Sequence, residues 1–164
     1  METVYASRAI SKGEELLTSY IQPSQTRDRR QAYLTAHFGF ACACEACSLT
    51  GDALATSNSR RSRIAWLDHQ LTQCAGDCEV ALGHIQEKMQ LLEQEGLADP
   101  CMLMQAEYDA FQVCKLAGKH KEARKWLTKA RDHCVLAEGD DSATCQHYTM
   151  LISLPVKAPL THQS

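Results

Sequence analysis

From about residue 61 almost to the end of the chain, apolar residues recur at intervals of three and four. That spacing puts them on one stripe of an α-helix, whereas a half-buried strand would alternate them. Ile64, Leu67, Leu71 and Cys74 mark a first helix, and Val80, Ile85, Met89 and Leu92 a second, closed by Gly96. Asp99-Pro100 starts a third, since Asp caps a helix and Pro suits its first turn. Met104, Tyr108, Phe111 and Cys114 line this third helix, and Gly118 ends it. A fourth spans about 120–137 and stops near Gly139; a fifth, Ser142 to Leu154, is broken by Pro155. The tail to Ser164 is expected to fray. Trp66 and Trp126 read as core residues. Gly118, Ala123 and Ala130 stand at the spacing of an inter-helix glycine and two small residues, a weak tetratricopeptide-like signature, although Phe111 sits where a small residue is usual. The expectation is a mainly α chain ending in an antiparallel helical-repeat domain over 61–164.

The first sixty residues have a different texture. Over 1–23, Val4 and Ala6 alternate with polar neighbours, Lys12-Gly13 offers a turn, and Leu16 to Ile21 forms a second apolar run that Pro23 ends. This predicts strand, turn, strand. Residues 24–37 predict a short helix, with Ser24 or Thr26 as cap and Ala32, Tyr33, Leu34 and Ala36 as its less polar positions. LTGDALATSNSR, ending at Arg60, is small and polar and reads as a linker over 50–60; the run Arg60, Arg61, Arg63 reads as part of that solvated stretch.

Between helix and linker lies FGFACACEAC. Cys42, Cys44 and Cys47 form C-x-C-x-x-C. Three thiols within six residues converge on one metal more readily than they serve as unrelated buried groups, and structural zinc takes four thiolate or imidazole ligands. Three ligands leave one position open. Cys74 and Cys78, four apart, are candidates to fill it, but cysteines on helices more often pack. The same holds for Cys101, Cys114, Cys134 and Cys145. The chain has nine cysteines and no basic, apolar leader at its start, which predicts reduced thiols in an intracellular setting, cytoplasm or nucleus. A formal charge of -3 gives no sign of nucleic-acid binding. No apolar run reaches the roughly 20 residues that cross a bilayer, so no membrane partner is expected.

RAISKGEELLTSY, then a short helix with RR, then FGFACACEACSL, resembles the end of the SET domain and the post-SET segment of the SET-and-MYND branch of protein-lysine methyltransferases, in the fungal form. The resemblance covers residues 1–49. It implies that Tyr20 is the catalytic tyrosine that orients the substrate lysine amine. Phe40 would pack on the adenine of S-adenosylmethionine, Phe38 would wall the lysine channel, and Cys42, Cys44 and Cys47 would bind zinc. It implies a histone or other protein lysine as substrate and a helical C-terminal domain, whose surface is either a mere support or a docking face for a protein partner. The family's G-x-G strand and N-H-S-C motif, which supply most of the cofactor site and the fourth zinc ligand, have no match. The one asparagine is Asn58, and no two of the eight glycines are separated by a single residue. The expectation is a truncated chain, inactive alone, with an incomplete zinc site. The alternative is a zinc-containing helical-repeat module that acts by binding other proteins.

Overall fold

The computed structural model describes residues 6, 9–15, 19–73 and 77–154. Seven α-helices lie among them: α1 Arg27–Phe38, α2 Glu45–Ser48, α3 Gly51–Gln73, α4 Cys78–Gln94, α5 Pro100–Leu116, α6 His120–Glu138 and α7 Ala143–Ser153. From α3 onward each helix packs against the next. The connections are short, and short connections make successive helices antiparallel neighbours. The mainly α expectation holds.

The caps follow from the sequence. Asp99 accepts from the Met102 N–H at 3.0 Å, with Pro100 as the first helical residue, where a missing N–H costs nothing. Ser142 caps α7 by accepting from the Cys145 N–H at 3.1 Å. At the end of α5, Lys119 N–H returns to the Cys114 carbonyl at 2.9 Å and Gly118 N–H to Lys115 at 3.1 Å. That double return needs Gly118 at a φ of 71°, a left-handed conformation that a Cβ would strain.

The core runs through four helices. Leu82 and Ile85 of α4, Met104, Ala110 and Phe111 of α5, Ala123, Leu127, Ala130 and Cys134 of α6, and Cys145 and Tyr148 of α7 are buried together. A smaller cluster joins Ile64, Leu92 and Met102. The alanines matter because a small side chain lets two helix backbones close together. Ala123 and Ala130, singled out by their spacing, are both buried, and Phe111 fills the place beside them.

Four expectations need correction. Residues 51–60 are not a loop: they are the first turns of the 23-residue α3. Their small polar side chains suit a helix face that makes hydrogen bonds, and tertiary contacts override weak propensity. Arg61 is not solvated but buried against Glu95. Val80 is exposed; the buried face of α4 runs through Ala81, Leu82 and Ile85 instead. Trp66 is also largely exposed, stacked under the Arg63 guanidinium at 4.0 Å and edge-on to His84 at 5.6 Å. Trp126 packs half-buried against the main core.

No strand forms among the described residues. Ala9–Glu15 carries only a turn at Lys12-Gly13, and Ser19–Gln25 is bends and turns. A two-stranded ribbon with no third strand is barely stable in water, so this stretch has no sheet to join. Val4, the apolar Leu16-Leu17 and the tail from Pro155 lie outside the described residues, as does Cys74.

Candidate functional site

The cysteine loop lies between α1 and α3. Gly39 ends α1 at a φ of 71°, and its N–H bonds to the Thr35 carbonyl at 3.2 Å. The chain then turns back, and the Gln31 side chain clamps it there. Its Oε1 accepts from the Cys42 N–H at 2.9 Å and its Nε2 donates to the Cys42 carbonyl at 2.6 Å. Cys44 begins the single turn of α2, and Cys47 N–H returns to the Cys44 carbonyl at 2.9 Å.

That path brings the three sulfurs of Cys42, Cys44 and Cys47 within 4.8 Å of one another. Zinc–sulfur bonds of about 2.3 Å in a tetrahedron set sulfur–sulfur edges of about 3.8 Å. The cluster thus needs only a small contraction, and its all-thiol donor set suits zinc. Cys42 is half-buried, Cys44 exposed and Cys47 buried, so the cluster is open to solvent on the Cys44 side.

The thiols titrate unequally. For Cys42 the Cys44 backbone N–H is the strongest single influence and pulls down, but burial and the two neighbouring sulfurs outweigh it and the thiol sits above its ordinary value. For Cys44 burial is the strongest single influence and pushes up. The Cys47 N–H, the other two sulfurs and Arg30 together outweigh it, and the thiol sits below its ordinary value. Cys44 therefore ionises more readily than Cys42, and a thiolate is the form that ligates metal.

Beside the sulfurs lies an aromatic group. The Tyr20 ring is 5.1 Å from Phe38 and 6.0 Å from Phe40, tilted against one and edge-on to the other. Tyr33 lies 6.3 Å from Phe38. These separations fall in the range of favourable ring contacts. Tyr20 is nevertheless 58% exposed, Phe38 48% and Phe40 40%. These three adjoining aromatics form an apolar patch open to solvent. All six residues singled out from the sequence thus gather in one region.

Several residues that hold the site carried no motif. Arg30 is 6% exposed; its Nη2 donates to Cys47 Sγ at 3.4 Å and its Nη1 to the Gln25 carbonyl at 2.5 Å. Arg61 reaches the Pro23 carbonyl, and its Nε lies 2.8 Å from a Glu95 carboxylate oxygen. Ser57 donates to the same carboxylate at 2.6 Å and Arg60 pairs with its other oxygen at 2.5 Å. Burial is the main cause that holds the Arg61 guanidinium below its ordinary range; Arg30 adds to it, and Glu95 offsets both. Asn58 Oδ1 accepts from the Arg27 N–H at 3.0 Å, a cap for α1 supplied from α3, since Thr26 makes no side-chain cap bond. Only the fold reveals these partners, which, the Arg30 contacts apart, are 31 to 38 residues apart along the chain.

Three of the other cysteines behave as packing residues, whereas Cys101 is exposed. Cys114, Cys134 and Cys145 are buried in the helical core, and burial first, with Cys78 nearby, pushes the Cys114 thiol up to about 12.

Three fungal proteins are similar to this chain in sequence. The fission yeast Schizosaccharomyces pombe protein named histone-lysine N-methyltransferase set5 is 32% identical over 162 residues, 98% of this chain and 49% of the relative. The chain is similar in sequence to fungal SET5 proteins. Histone-lysine N-methyltransferase SET5 of Meyerozyma guilliermondii is 50% identical over 44 residues, 27% of this chain and 9% of that protein. The Candida albicans protein of that name is 44% identical over 59 residues, 36% of this chain and 12% of that one. The chain thus spans about half the length of its fission yeast SET5 relative and a far smaller share of the other two. No protein-family profile matches it, and no solved structure does.

Proposed function

We propose that the chain carries the tyrosine, aromatic wall and zinc loop of a SET-type protein-lysine methyltransferase, mounted on a tetratricopeptide-like helical domain. The observation that carries this reading is the convergence of Tyr20, Phe38 and Phe40 beside three clustered sulfurs, in a chain similar in sequence to SET5 proteins. In this reading the Tyr20 oxygen accepts a hydrogen bond from the substrate lysine amine and so aims its lone pair. Phe38 walls the channel for the lysine's aliphatic stem, excluding water from it. Phe40 offers a ring face to an adenine. Cys42, Cys44 and Cys47 hold zinc, which fixes the loop that carries Phe40. S-adenosylmethionine would supply the methyl group. The substrate is a protein lysine, with histone the first to test.

These 164 residues offer the methyl donor one aromatic face and no G-x-G turn, so alone they neither bind it tightly nor methylate. Calorimetry on the purified chain tests this; micromolar binding of S-adenosylmethionine sinks it. A chimera tests the role of Tyr20. In it, this chain replaces the matching 162-residue segment of the fission yeast relative. Transfer of labelled methyl groups to core histones is expected, and Tyr20→Phe should cut it at least about 100-fold with donor binding unchanged. Equal activity in the two overturns the assignment.

One observation favours a second reading, a protein-binding module. A cavity of about 330 Å³ opens between the helices, lined among others by Asp68, Lys88, Asp109 and the stacked pair Tyr108 and Tyr148. Two carboxylates against one ammonium and two rings suit a lysine or arginine side chain of a partner. Fluorescence anisotropy with a labelled arginine-bearing peptide separates the readings. Binding that is lost in Asp109→Asn and kept in Tyr20→Phe supports the module.

A further inference from the structure

The joint between the cysteine loop and the helical domain carries unbalanced charge. Three charged side chains are buried there among the described residues: Arg30, Arg61 and Glu95. Glu95 is shared by Arg61, the half-buried Arg60 and Ser57. Arg30 has no carboxylate partner in the described structure. Its guanidinium meets a backbone carbonyl and the Cys47 sulfur. A buried guanidinium whose hydrogen bonds go only to neutral groups, with the like charge of Arg61 close by, is costly, because it has left water without gaining a counter-charge. Three thiolates around a divalent cation sum to one negative charge, which matches the one positive charge in excess.

We infer that Arg30 is the counter-charge and positioning residue of the metal bound by Cys42, Cys44 and Cys47, and that through it metal binding fastens the cysteine loop to α3 and α4. The inference rests on the zinc reading above and adds a residue and a coupling to it. Arg30 sits on α1 and donates to a ligand sulfur and to the Gln25 carbonyl, while Arg61 of α3 holds the Pro23 carbonyl of the same turn and pairs with Glu95 at the end of α4. A hydrogen bond to a ligand sulfur orients it and tempers its charge, and outer neighbours of this kind typically set metal affinity by 10- to 100-fold. With the metal absent, Arg30 lacks the counter-charge of the metal centre and the loop undocks first.

The test uses the whole chain, with zinc affinity read by chelator competition and cobalt(II) substituted as a spectroscopic probe. Arg30→Gln keeps a donor and loses the charge; Arg30→Lys keeps the charge and loses the planar fork. Zinc affinity should fall about 10- to 100-fold in Arg30→Gln, and Arg30→Lys should recover at least about a third of that drop on a logarithmic scale. The cobalt–thiolate charge-transfer band should move in Arg30→Gln, which a merely structural side chain would not cause. Zinc should slow amide exchange in α1 and the first turns of α3 in the unaltered chain, and much less in Arg30→Gln. Equal zinc affinity and an unmoved band in Arg30→Gln overturn the inference while leaving the metal site standing. An unaltered chain that takes up no zinc overturns both.

Discussion

The two parts of this molecule are held by different physics. From α4 to α7 a continuous apolar core forms, in which Ile85, Ala106, Ala110, Cys114, Ala130 and Cys134 have no exposed surface. The stretch from Ser19 to Leu49 has two buried hydrophobic residues, Leu34 and Cys47, and leaves its other apolar groups half-buried or exposed. Directional polar contacts hold it: the Gln31 clamp, the Asn58 cap and the Arg61–Glu95 network. An apolar core tolerates small displacements because burial is non-directional. A polar joint is all or nothing, since a lost partner leaves a buried charge. That contrast suits a site that has to be assembled from separate parts and fixed in place by a metal.

The largest expected effect is at the joint. Glu95→Ala leaves Arg61 buried without its carboxylate, and breaking such a pair costs about 3–5 kcal/mol. Amide exchange should rise in α1 and α2 far more than in α5 and α6. Uniform loss of protection across the chain would show that the two regions fold as one unit and break the comparison. Next comes the core. Leu127→Ala empties a fully packed position and should cost about 2–5 kcal/mol in urea unfolding. Below the unfolding transition it should leave the reactivity of Cys44 toward a thiol reagent unchanged. A faster Cys44 would mean that core packing reaches the site.

A smaller effect is expected at Asn58. Its side chain caps α1 from another helix, so Asn58→Ala should cost about 1 kcal/mol, read as faster exchange confined to the first turn of α1. This residue also shows what the sequence hides. The helical half was legible because periodicity, caps and glycine stops are local signals: Asp99-Pro100, Gly118 and Ser142 each act within a few residues. The clustering of the three cysteines was legible in their spacing. The supports were not, because Arg30, Asn58, Arg61 and Glu95 have meaning only once α1, α3 and α4 are side by side. LTGDALATSNSR looks like a linker for the same reason: its polar residues point at partners that no local pattern reveals. Trp66 misled in the opposite way, since its size suggests core while Arg63 shields it at the surface.

The smallest effect separates buried from exposed ion pairs. Arg63 and Glu87 form a two-pronged pair at 2.7 and 2.8 Å, better in geometry than the pair at the joint, but both side chains are about 40% exposed. The Arg63 hydrogen bonds hold the Glu87 carboxyl below its ordinary value. A carboxyl lowered in the folded state adds stability above its unfolded pKa, and that contribution fades as pH falls through the folded value. Solvent and salt screen it, so the contribution should be small. Glu87→Gln should therefore leave the urea midpoint at neutral pH within error of the unaltered chain, and raising the salt should not widen the gap. Only a slightly flatter loss of stability on acidification is expected. If Glu87→Gln instead destabilised the chain as much as Glu95→Ala does, burial would not be what distinguishes the joint, and the polar joint would have to be explained by geometry alone.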